Sequence, residues 1–183
     1  MLRTLLGASI VVMISGAVWG QSGAANVTPT ARPPVVPAHG LVSQNVMSLS
    51  MAKSVAEAAL EECRGKGYHT SVVVVDGAGQ VMVMLRDEQA SAQTLDMARR
   101  KAYTARMFRS TTLEFQKRTA LDSSIAAQRD VFDILALGGG APILIDRDAI
   151  GAVGSSGSSI EQDDACAKAG VAKAMELLKV KLF

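Results

Sequence analysis

The chain has 183 residues, 49% of them apolar, 20% charged and 4% aromatic, and its formal net charge is +2. That balance excludes a wholly disordered chain, which would be poor in apolar residues and dominated by one charge. It also excludes nucleic acid as a partner, because neither a basic excess nor a stock of stacking aromatics is present.

The first residues read as an address. Met1 to Arg3 supply a positive start, Leu5 to Trp19 form an apolar and small-residue run, and Val18 and Gly20 precede a cleavage position at Gln21. These are the three parts of a secretory signal. A run of about 15 residues is short of the roughly 20 that cross a bilayer. The expectation is a signal peptide over 1–20 and an exported product, periplasmic or secreted, with no stable membrane insertion after cleavage. Residues 21–40 hold Pro29, Pro33, Pro34 and Pro37 with almost no charge. Proline fixes φ and removes donors, so this stretch is expected to be an extended linker. The remaining 41–183, roughly 140 residues, suits one domain with one core.

Within that domain, apolar residues recur at Ala52, Val55, Ala56, Ala59, Leu60 and Cys63. Their spacing predicts a helix over about 44–64 with one buried stripe, ended by Gly65 and Gly67. Val72 to Val75 is a β-branched run and predicts a strand, Asp76 to Gly79 a turn, and Val81 to Leu85 the returning strand. A second helix is expected over about 92–108, with Leu95, Ala98, Ala102, Ala105 and Phe108 inward. Its outer side is read as basic, carrying Arg99, Arg100, Lys101, Arg106 and Arg109. Thr111 and Glu114 are spaced as a capping box for a short third helix, and residues 120–129 read as loop. A second hairpin follows Gly138 to Gly140, with strands over 143–145 and 150–153 around a turn at Asp146 to Asp148. Ser155 to Ser159 reads as a Ser/Gly loop, and Ser159 caps a last helix near Ile160 whose acidic first turn, Glu161, Asp163 and Asp164, suits the helix dipole. Hairpins alternating with helices predict an α/β fold of the α+β type. Its sheet is mixed, largely antiparallel and flanked by helices, and differs from a parallel Rossmann sheet. Cys63 and Cys166 are the only cysteines. Export would permit a disulfide between them, while their apolar helical settings suit free thiols equally, so the pairing stays open.

Four ordered segments carry a family resemblance: Ser71 to Ala90, Ala98 to Phe108, Leu137 to Ser159 and Glu161 to Gly170. Together they resemble the GlcG/HbpS family, over essentially the whole domain. That family includes extracellular haem-binding proteins, a product of the glycolate-utilisation operon and a domain fused to a corrinoid adenosyltransferase. The resemblance implies a helix-flanked sheet, a homo-oligomer (often an octamer) and haem as a ligand.

Haem iron takes His, Met, Cys or Tyr. His69, at the mouth of the first strand, is the candidate metal ligand; its plain alternative is a half-exposed residue at a strand start. His39 lies in the linker, where a solvated side chain is the plain reading. Arg99, Tyr103 and Arg106 fall on one helical face, where guanidinium groups can pair with propionates or another carboxylate. A solvated face or an oligomer contact is the alternative. Lys101 and Thr104 match family positions in the same segment. The glycines at 138–140 lack the Lys-Ser/Thr ending of a phosphate loop. No nucleophile announces itself, although His69 with Asp76 or Glu88 offers acid–base chemistry. Three functions follow in order. The first is an exported haem-binding protein that sequesters, carries or senses haem. The second is an enzyme or catabolic accessory acting on a small carboxylate, and the third is an oligomeric scaffold.

Overall fold

The computed structural model describes residue 40 and residues 44–180. The expected signal peptide over 1–20, the linker up to residue 39 and His39 itself lie outside the described residues.

The first helix, α1 (Leu49–Arg64), starts five residues later than the periodicity suggested, because Ser48 caps it: its hydroxyl accepts from the Met51 N–H at 3.2 Å. The buried face of α1 is the expected stripe of Ala52, Val55, Ala56, Ala59, Leu60 and Cys63. Past the helix, Gly67 adopts φ 79° and turns the chain back toward the sheet. Strands β1 (Ser71–Asp76) and β2 (Val81–Arg86) form a hairpin. Its turn is held by Asp76, whose Oδ1 accepts from the Ala78 and Gln80 N–H groups.

Helix α2 (Gln93–Phe108) is followed by α3 (Thr112–Leu121), whose capping box between Thr111 and Glu114 is complete in both directions. The stretch read as loop over 120–129 instead holds the end of α3 and a 3₁₀ turn, Ala126–Asp130. Arg129 ties that turn down by donating to Thr119 Oγ1 and the Gln116 carbonyl, both at 2.7 Å. With the bonds that Ser124 donates to Asp122 Oδ1, it supplies order that no hydrophobic period announced.

Strands β3 (Gly140–Ile145) and β4 (Asp148–Ser156) make the second hairpin, and α4 (Ile160–Val180) follows. Ser155 and Ser156, read as loop, complete β4 instead. β4 is an inner strand, and these two residues pair with Val72 and Ser71 of β1. Ser159 does cap α4, accepting from the Gln162 N–H at 3.2 Å. The sheet order is β2-β1-β4-β3, with every pairing among the described residues antiparallel.

Helices cover both faces of the sheet, which explains the unbroken valines of β1. Val72 and Val74 join the core under α1 and α4, while Val73 and Val75 meet Ala98, Ala102 and Ala105 of α2. The α2 face is made of small residues because the helix lies close. A Cβ placed on Gly154 would run into the Ala98 carbonyl, and one on Gly140 into the Lys101 carbonyl. A disulfide joins Cys63 to Cys166, with Cα atoms 5.6 Å apart, and links α1 to α4 inside the core. The pairing that the sequence left open is thus decided.

Candidate functional site

At the end of the sheet where β1 begins, three side chains from separate elements converge. The β1–β2 ladder continues one step beyond Arg86, because the Asp87 N–H donates to the Thr70 carbonyl at 3.0 Å. This bond sets the Asp87 carboxylate beside His69. Asp87 is 1% exposed, and its Oδ2 accepts from Nε of Arg64, in the last turn of α1, at 2.6 Å. His69 Nδ1 lies 3.2 Å from the other oxygen, Oδ1, and the imidazole is 41% exposed. Oδ1 is buried and has no aligned hydrogen-bond donor among the described residues, so His69 Nδ1 is its neighbour by distance only. Arg64 also reaches Glu88 at 3.4 Å. The Arg64 guanidinium, with help from His69, holds the Asp87 carboxyl well below the usual carboxylate range, against the opposing effect of burial. The carboxylate partner of His69 is therefore Asp87, not Asp76 or Glu88. Spacing alone could not find it, because the contact depends on the strand register.

The residues expected along α2 divide. Lys101, read as part of an outer basic face, points inward and is 1% exposed. Its Nζ donates to Asp163 Oδ2 at 2.8 Å and to the Ser155 carbonyl at 3.0 Å. Burial pushes the Lys101 amine down, and the Asp163 charge opposes that shift. Asp163, read as a helix-start charge, also accepts from the backbone and hydroxyl of Ser158. Thr104 is buried and fully engaged, donating to the Arg100 carbonyl and accepting from the Leu135 N–H. Arg99 grips Asp133 with two bonds of 2.7 Å and also reaches Asp96. Its guanidinium already holds a carboxylate of the chain. Tyr103 lies against the β1–β2 turn, close to Gly79. Arg106 is half-buried, and its Nε has no partner.

His69 precedes the start of β1, whereas Tyr103 touches the turn after its end. A six-residue strand spans about 20 Å. One chain therefore does not bring His69 and the Tyr103–Arg106 segment together. Along the sheet edge, a groove of about 320 Å³ opens between the first half of α1 and β2, lined by Leu49, Lys53, Glu57 and Met82 to Leu85 and not by His69. Its size falls within the range of small-molecule sites.

The chain is similar to known proteins in sequence and fold. A family model described as haem-degrading protein HbpS-like matches residues 47–172. An uncharacterized 15.0 kDa protein in the dhaT-dhaS intergenic region of Citrobacter freundii is 31% identical over 125 residues, 66% of this chain and 88% of that protein. The crystal structure of a double mutant of HbpS from Streptomyces reticuli superposes with a TM-score of 0.69 at 35% identity, covering 79% of this chain and 97% of the other. The crystal structure of a PduOC:haem complex superposes with a TM-score of 0.62 at 25% identity, covering 70% and 95%.

Proposed function

We propose an exported haem-binding protein: the chain belongs to the HbpS-like family, and His69 is its candidate iron ligand. The observation that carries this reading is the half-exposed imidazole of His69, backed on one nitrogen by a buried carboxylate. Metal-bound histidines characteristically donate their other ring N–H to such a partner. The donor set fits haem, since a neutral imidazole is a common axial ligand. Bound haem would supply an iron centre for redox or small-ligand chemistry. The residues that would hold it are His69, through the ring nitrogen turned away from Asp87, and Leu85, which pairs with Val72 at the His69 end of β2. Arg99 is engaged by Asp133, and Arg106, whose unpaired Nε is buried, lies on the segment that one chain keeps apart from His69, so neither is assigned to the propionates on this chain.

Export is supported by the signal-like pattern of residues 1–20 and by the Cys63–Cys166 disulfide, which suits an oxidising compartment. Assembly of several copies is supported by β2, an edge strand whose Val81 and Met84 remain exposed. Titration of haemin into the purified protein, followed by the Soret band, tests the reading. A saturable shift near one haem per subunit supports it. A shift no larger than that of an unrelated basic protein moves the assignment to an enzyme or accessory for small carboxylates.

A further inference from the structure

We infer that Asp87, anchored by Arg64, is a positioning residue that fixes the proton of His69 on Nδ1 and leaves the lone pair on Nε2. Only the consequence for iron rests on the haem-binding reading. The position of the proton follows from contacts within the chain.

Each oxygen of the Asp87 carboxylate has a separate neighbour. Oδ2 is taken by Arg64 Nε at 2.6 Å. Oδ1 is buried, and the group facing it is His69 Nδ1 at 3.2 Å. A buried carboxylate oxygen left without a donor is costly, and an imidazole lone pair pointed at it would be repelled. The nearby carboxylate favours the tautomer with the hydrogen on Nδ1, and a small turn of the half-exposed ring would align that N–H with Oδ1. A neutral imidazole has one N–H, so Nε2 is then the bare nitrogen.

The backbone keeps both partners in place. Asp87 is held by its N–H bond to the Thr70 carbonyl. Gly157 packs so closely against the His69 backbone that a Cβ there would lie 2.7 Å from the His69 carbonyl oxygen. The imidazole is thus presented at a fixed end of the sheet, with Nε2 on the side of the ring away from the carboxylate.

Arg64 makes the assignment testable by an isosteric change. Its guanidinium can only donate. In Asp87→Asn the amide oxygen must therefore turn to Arg64, which sets the amide NH₂ against His69 Nδ1. That nitrogen would have to accept, and the proton would move to Nε2. The same logic explains why an asparagine in place of a histidine-orienting aspartate leaves geometry intact and the tautomer wrong.

The experiment is ¹⁵N NMR of the imidazole in the haem-free full chain, with His39→Ala leaving one histidine, at about pH 9 where an ordinary imidazole is neutral. The expected result is an Nδ1–H tautomer that becomes Nε2–H in Asp87→Asn. An Nε2–H tautomer in the unaltered site, or a tautomer indifferent to Asp87→Asn, overturns the inference. If Asp87→Asn does not fold, the spectrum of the unaltered site decides alone. A haemin titration run beside it separates the two claims. With haem bound, Asp87→Asn should weaken affinity about 10- to 100-fold. An Nδ1–H tautomer in a protein that ignores haemin retires the haem reading and keeps the role of Asp87. Tight haemin binding with an Nε2–H tautomer does the reverse.

Discussion

Lys101 Nζ and Asp163 Oδ2 meet at 2.8 Å where neither side chain is more than 4% exposed. The pair ties α2 to the first turn of α4, and Gly139, at φ 120°, leaves room for the amine: a Cβ there would lie 2.9 Å from Nζ. Removing one partner strands a buried charge. Lys101→Ala or Asp163→Ala is expected to cost about 3–5 kcal/mol, read as a lowered midpoint in urea unfolding. Lys101→Met combined with Asp163→Asn removes both charges and should cost less than either alanine change. A double variant as damaged as the sum of the singles would show that the ion pair is not what couples these helices.

The seam between α2 and the sheet depends on the absence of side chains. Gly154 faces the Ala98 carbonyl with no space for a methyl group. Gly154→Ala should therefore force α2 off the sheet and cost about 1–3 kcal/mol. The change in thermal midpoint checks this against Gly77→Ala, where the nearest atom would sit at an ordinary 3.6 Å. Equal effects of the two substitutions would contradict the close packing.

The disulfide closes a sequence separation of 103 residues between α1 and α4. Cross-links over loops of that length constrain the unfolded chain strongly. The Cys63→Ala, Cys166→Ala double variant is expected to lose about 4 kcal/mol of stability. Thermal unfolding with and without a reductant gives the comparison; indifference of the parent protein to full reduction would remove the bridge as a stabilising element.

Acid should weaken the fold through identified carboxylates. Arg99 holds the Asp133 carboxyl below its ordinary value, and hydrogen bonds from Ser124 do the same for Asp122. A carboxylate depressed in the folded state binds protons more weakly there than in the unfolded chain. Its contribution is complete above the unfolded value, near 4, and is lost as pH falls below it. Denaturation midpoints should therefore be flat from neutral pH to about 5 and decline below about 4. Asp133→Asn should flatten part of that decline, and an unchanged acid slope would contradict the assignment.

Much of the fold was legible because its local signals agree with its packing. The stripe of α1, the valines of β1 and the capping box at Thr111 each name a structure that tertiary contacts then reinforce. The misread parts are those in which long-range pairing decides. Ser155 and Ser156 look like loop residues until β1 pairs with them, and Lys101 looks solvated until Asp163 and the Ser155 carbonyl meet it across the core. His69 stood out as a rare ligand type in the sequence. Asp87 and Arg64 did not, because one is set by strand register and the other by the end of a helix 23 residues away.

The central claim is that His69 supplies the nitrogen that binds haem iron, and replacement of the ring by free imidazole tests it most directly. His69→Gly should lose the Soret shift on haemin titration and regain it when imidazole is added. A His69→Gly protein that binds haemin with an unchanged spectrum, and takes no notice of imidazole, would contradict the claim.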